Sequence, residues 1–147
     1  PDEREAAMTE LSPKLIEGLM RNVPPLPDLE GRIEVRASDP GSVRYTIDVP
    51  ESLSNYRGTV HGGTISLLLE IAAGMATYAH GVGNVALANA TNFIRAVGVQ
   101  RLNVSASTSH KGRSTAVVHC SIETEEGKLV AEATYTMFLF GPLDQQG

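Results

Sequence analysis

Glu70 is the only Asp, Glu, Lys or Arg between Arg57 and Arg95, and it stands inside a run from His61 to Gly81 that is otherwise nearly all apolar. An ionised carboxylate without a partner is costly to bury, so this one must be paired, protonated or open to a pocket. A pocket or active site, a structural buried pair and an oligomer contact are the three readings. His61-Gly62-Gly63 stands where a loop gives way to the same helix. Unpaired backbone N–H groups and the positive end of the helix dipole gather at such a point. Gly62 presents its N–H with no side chain in the way, which suits a carbonyl oxygen that becomes negative during reaction. The two glycines equally allow a tight entry to a crowded helix and nothing more.

Glu70 lies nine residues beyond His61. At 100° and 1.5 Å per residue, the two fall on roughly opposite sides of the helix and about 13 Å apart along it. Within one chain they cannot easily serve one bond. A symmetric dimer that brings Glu70 of one subunit to the helix N-terminus of the other is the simplest geometry if both act. Ala73 and Gly74, three and four residues past Glu70, leave space over its carboxylate for a substrate or for a closely packed neighbour.

The elements that position these residues follow from turn signals and periodicity. Ser12-Pro13 reads as an N-cap with Pro at the first helical position, opening a short amphipathic helix that Pro24, Pro25 and Pro27 stop. Ile33 and Val35, then Val43, Tyr45, Ile47 and Val49, alternate about a Ser38-Asp39-Pro40-Gly41 turn and predict an antiparallel hairpin. Beyond the helix that begins near Gly62, four alternating stretches predict strands: Val85 to Ala96, Leu102 to Ser109, Ser114 to Glu125 and Lys128 to Phe140. The residues from Gly141 to Gly147 read as a mobile tail. The fold class is α+β, with one antiparallel sheet covering a helix that is apolar all round. A single sheet covers such a helix only in part, so association of two subunits is expected.

At 147 residues the chain predicts one domain, residues 1–147, whose first 30 or so residues form a helical extension. The central helix is too interrupted by Glu70, glycines and hydroxyls to be a membrane span, and no signal peptide is read at the start. The single cysteine, Cys120, leaves no disulfide within the chain and points to a reducing compartment, the cytoplasm by default. Cys120 alternates with Ala116, Val118 and Ile122 as a core-facing strand residue. His110 and His119 are not spaced as metal ligands, and His80 closes the helix where a cation suits the dipole. Net charge is −5, which argues against nucleic acid or anionic membranes as partners. Yet no acidic residue separates Glu70 from Glu123, while Arg95, Arg101, Lys111 and Arg113 all lie between them. That locally basic half either reflects where the acids happen to fall or holds a phosphate-bearing ligand.

The run from Asn55 through Gly58, His61-Gly62-Gly63 and Glu70, then Asn92-Phe93-Ile94-Arg95 and the His110-Lys111-Gly112-Arg113 turn, resembles the hotdog-fold acyl-CoA thioesterases of the PaaI-like group. The likeness spans Ile33 to Phe140. It implies an antiparallel sheet wrapped around a long helix, paired subunits with two shared active sites, and often a dimer of dimers. It implies Glu70 as the catalytic carboxylate, acting as nucleophile or as general base, and the Gly62 N–H of the other subunit as the oxyanion donor. His61 would shape that end of the site, and Asn55 would orient the thioester or the attacking water. Arg95, Lys111, Gly112, Arg113 and Ser114 would meet the coenzyme, which enters as part of the substrate; no metal or separate cofactor is implied. Glu rather than the commoner Asp looks like the thioesterases acting on 4-hydroxybenzoyl-CoA or 1,4-dihydroxy-2-naphthoyl-CoA. Where some relatives carry a water-holding Ser or Thr, this chain has Gly74 and Ala86, with Thr77 and Thr91 the hydroxyls left to substitute. A protein that binds or senses acyl-CoA without turning it over is the alternative. A hydratase would need a histidine set against the substrate's β-carbon, and no such pairing with Glu70 is read.

Overall fold

The structure, a computed structural model, describes residues 11–143. Helix α1 spans Pro13–Met20, and its Ser12 cap accepts the Leu15 N–H at 3.1 Å, as the Ser-Pro signal predicts. A connector leads to strands β1 (Ile33–Asp39) and β2 (Ser42–Asp48), then to the long helix α2 (Gly62–Tyr78). Strands β3 (Val82–Phe93), β4 (Arg101–Lys111), β5 (Thr115–Thr124) and β6 (Leu129–Pro142) complete one six-stranded antiparallel sheet in the order β1-β2-β4-β5-β6-β3. The α+β architecture is the expected one. The parts of the sequence reading that concern residues 1–10 and 144–147 lie outside the described residues.

The sheet curls around α2 because alternate strand residues face it and are buried: Val104 and Ala106 on β4, Val118 and Cys120 on β5, Ala133 and Met137 on β6. Against them α2 turns Leu68, Leu69, Ala72, Ala73, Met75 and Ala76, all fully buried. The alanines let the backbones come close. Two tyrosines set the helix in rotation as well as depth. Tyr45 donates to the Leu68 carbonyl at 2.6 Å and Tyr135 to the Ser66 carbonyl at 3.4 Å, so each buried phenol finds an acceptor on the helix it packs against. Burial raises the Tyr135 pKa to about 12, with the Glu70 charge adding to it, so the ring stays neutral.

Strand β3 differs from the sequence reading in its limits, running from Val82 to Phe93 instead of from Val85 to Ala96. Gly81, at φ 83°, turns the chain out of the helix early. At the far end the Ile94 and Arg95 N–H groups both donate to the Val130 carbonyl, which takes the chain out of the ladder. The expected mobile tail is also corrected at its start. Gly141 pairs with Gly83 and the Leu143 N–H donates to the Gly81 carbonyl at 3.0 Å, so β6 continues through Pro142.

Among the described residues only β6 lies beside β3, whose outer edge is open. Most of β3 is exposed on both faces, including Val85 and Leu87, and Phe93 and Ile94 at its end are each more than half exposed. A 12-residue apolar edge strand with free N–H and C=O groups is a template for pairing with another chain.

Candidate active site

The N-terminus of α2 is built by a short loop. Asn55 closes it: its Oδ1 accepts the Arg57 and Thr59 N–H groups at 2.9 and 3.1 Å, and its Nδ2 donates to the Thr59 hydroxyl at 2.8 Å. Val60 N–H donates to the Val97 carbonyl and His61 N–H to the Leu53 carbonyl, tying the loop to both of its neighbours. His61 is the N-cap, and its Nδ1 accepts the Gly63 N–H at 2.9 Å. That leaves the exposed Gly62 N–H with no acceptor among the described residues. A donor at a helix N-terminus, fixed in direction by its cap, is suited to hold developing negative charge. Gly62 and Asn55 line a cavity of about 330 Å³ together with Phe93, Ile94 and Arg95.

Glu70 lies elsewhere. Its exposed carboxylate lines a second cavity, of about 540 Å³, with Leu67, Gly74 and Ala86 and with Asn22 to Pro25 of the connector after α1. Glu70 is exposed to this cavity and is not a buried pair. The expectation that Glu70 and the helix N-terminus do not meet within one chain agrees with this division. The two cavities touch opposite ends of β3, with Asn84, Val85 and Ala86 beside Glu70 and Phe93 beside Gly62.

The coenzyme candidates divide in the same way. Arg95 shares the Gly62 cavity. Lys111, Gly112, Arg113 and Ser114 form the β4–β5 turn at the other end of the sheet, where β5 begins opposite Phe138. The turn is mostly exposed, and none of its residues lines either cavity. Within the turn the Gly112 N–H donates to the Thr115 carbonyl at 2.8 Å. A larger concavity of about 600 Å³ lies over β4, β5 and β6, lined by Ser105, Ser107, His119 and Thr134, and holds none of the candidate residues.

The two substitute hydroxyls do not reach Glu70's cavity. Thr77 is fully buried and donates to the Ala73 carbonyl at 2.8 Å, while Thr91 donates to Asn89 Oδ1. The side chain the sequence reading missed is Asn22. Its Oδ1 lies 2.8 Å from the place a Cβ on Gly74 would occupy, and its Nδ2 donates to the Leu19 carbonyl at 2.9 Å. Gly18 seats α1 in a similar way, since a Cβ there would collide with the Tyr78 ring.

Cys120 is buried and its thiol is pushed up to about 12 by that burial, so it stays protonated and inert. No metal-binding group of His, Cys, Asp or Glu exists among the described residues, and no helix there is long and apolar enough to cross a membrane. His80 is not the helix-terminal cation the sequence suggested. Burial first, and the Lys111 charge second, lower its pKa. Thr108 donates its hydroxyl proton to the Gly41 carbonyl at 2.9 Å, so His80 Nε2 must be the donor in its 3.1 Å contact with Thr108. The unfolded chain therefore binds a proton at this histidine more readily than the folded chain. Stability from this group is intact above the ordinary value of about 6.5 and is lost as pH falls below it. Urea midpoints at pH 7.5 and 5.5 should fall further for wild type than for His80→Gln, which keeps a donor toward Thr108. Equal falls would refute the assignment.

A model of the thioesterase superfamily matches residues 57–131, which include Gly62, Glu70, Arg95 and the β4–β5 turn. Among solved structures, a hypothetical thioesterase from Streptococcus pneumoniae TIGR4, crystallised with coenzyme A, superposes with a TM-score of 0.78 at 27% identity over 86% of this chain and 98% of that one. The smu.793 protein of Streptococcus mutans UA159, bound to acetyl CoA, gives 0.74 at 27% over 81% and 98%. The PaaI protein of the E. coli phenylacetic acid degradation operon gives 0.78 over 90% and 98% at 24% identity, a likeness of fold. The chain thus belongs to the thioesterase superfamily, as a thioester hydrolase with the PaaI-like hotdog fold.

Proposed function

We propose that this protein hydrolyses an aryl- or medium-chain acyl-CoA to the free acid and CoA, in sites shared between two subunits. One observation carries the reading: the carboxylate of Glu70 and the free N–H of Gly62 occupy separate cavities at opposite ends of β3, an edge strand whose outer side is open. Two β3 edges pairing antiparallel about a twofold axis set the start of one strand beside the end of the other. Each Glu70 cavity then adjoins the partner's Gly62 cavity, and two equivalent complete sites form. A further pairing of dimers into a tetramer completes the proposed assembly.

In such a site the thioester carbonyl oxygen accepts the partner's Gly62 N–H, which stabilises the negative charge that builds there. Glu70 either attacks the carbonyl carbon or takes a proton from the water that does; in both routes the C–S bond breaks and CoA leaves as the thiol. Asn55 and His61 hold the oxyanion end, with one Nδ2 hydrogen of Asn55 left for the substrate. Arg95 from one subunit and Lys111, Arg113 and Ser114 from the other are the proposed phosphate contacts, with Gly112 leaving room for the ligand to approach the turn, consistent with their division between the sheet ends. The coenzyme A and acetyl CoA bound to the two streptococcal relatives support CoA as the carrier. The test is thiol release from aryl-, short- and medium-chain acyl-CoAs. Release from one of these classes is expected, and binding without release from any would establish the non-catalytic sensor instead.

A further inference from the structure

We infer that Asn22, from the connector after α1, holds the hydrolytic water against Glu70, filling the space that Gly74 leaves one helical turn beyond the carboxylate. This rests on the thioesterase reading of the site. Glu70 and Gly74 are an i, i+4 pair and so share a face of α2. They line one cavity with Asn22. The Asn22 Oδ1 stands 2.8 Å from where a Cβ on Gly74 would be, so Gly74 is the residue that lets the amide lie over this face. The amide's orientation is set by chemistry. Its Nδ2 donates to the Leu19 carbonyl at 2.9 Å, a partner that could not accept from an oxygen, and Oδ1 is therefore the atom directed to Gly74. Asn22 is only part-exposed, whereas the hydroxyls of Thr77 and Thr91 are engaged with other partners.

Two acceptors beside one water fix its orientation. One O–H points to the Glu70 carboxylate, the other to Asn22 Oδ1, and a lone pair is left for the thioester carbon. Glu70 takes the first proton as the C–O bond forms. The C–S bond then breaks, and the departing thiolate recovers that proton as free CoA. Asn22 changes no bond; it holds the nucleophile in line.

The experiment compares thiol release by wild type, Glu70→Gln, Asn22→Ala and Asn22→Ala/Gly74→Ser, with melting curves as the check on folding. Asn22→Ala should lower kcat by about 10- to 10²-fold with KM within about threefold, the pattern for an interaction made in the transition state. The double variant should regain much of the loss. With Asn22 truncated, the nearest atom to a Cβ at position 74 is the remaining Asn22 Cβ, at an ordinary 3.8 Å. A serine there can offer its oxygen from the same face of the helix. Asn22→Asp gives a readout that packing alone would not move: a second carboxylate beside Glu70 should shift the acid limb of the kcat/KM profile to higher pH by about one unit. Wild-type kcat in Asn22→Ala, no recovery in the double variant, or an unmoved acid limb would each overturn the assignment while Glu70→Gln stays inactive. Thiol release that survives Glu70→Gln would instead bring down the thioesterase reading of Glu70 itself.

Discussion

Glu70→Gln is expected to lower kcat for thioester hydrolysis by at least about 10²-fold while changing the KM for acyl-CoA far less. Gln keeps the length and shape of the side chain and removes the charge and the basic oxygen. Both proposed routes need that oxygen, as nucleophile or as proton acceptor. The substitution should leave the fold alone, because Glu70 is exposed on the cavity side of α2 while its neighbours Leu69 and Ile71 carry the packing. An unchanged melting temperature with lost turnover is the expected pair of results. A variant that hydrolyses within about tenfold of wild type would mean that Glu70 is not the group that does the chemistry.

The second large effect comes from Gly62→Pro, which deletes the proposed oxyanion donor at little structural cost. Proline is well accepted at the first residue of a helix, and Gly62 is that residue. The residue before a proline must be extended, and His61 already is, at φ −60° and ψ 139°. A Cβ at position 62 would meet only the Phe93 ring edge, at 3.8 Å. Loss of one such donor should reduce kcat by about 10²- to 10³-fold. Mixing this inactive protein with inactive Glu70→Gln then probes how the site is assembled. In a hybrid dimer one site carries both lesions and the other carries neither. Random exchange of equal amounts makes half the dimers hybrid, so about a quarter of wild-type activity should return. Absence of recovery, with hybrids verified by native mass spectrometry, would place both groups' action within a single chain.

Most of what positions these groups was legible in the chain. A long apolar run opened by paired glycines predicts α2 because nothing else of that length fits a strand, and the alternating stretches predict the sheet that covers it. Periodicity fails where every face is apolar. Thr77 sits on the same helix as Glu70, yet no sequence pattern says that it faces inward and bonds the Ala73 carbonyl. His80 misled for a related reason, since its neighbours Lys111 and Thr108 come from another strand. Asn22 carried no signal at all. Its meaning depends on Gly74, 52 positions away, and a glycine marks an approach without naming what approaches. The matched family segment begins at residue 57 and leaves it out as well.

The wall that α1 and its connector raise over Glu70's cavity has a consequence for descent. It is laid on the domain from outside the strand ladder, seated at Gly18 against Tyr78 and at Asn22 over Gly74. A segment that joins the ladder at its last residue, where the Arg32 carbonyl accepts the Asp48 N–H, can lengthen, shorten or be replaced before that point while the sheet keeps its register. New acyl preferences could then be acquired by exchanging this leader, with the carboxylate, the helix terminus and the β3 edge handed on intact.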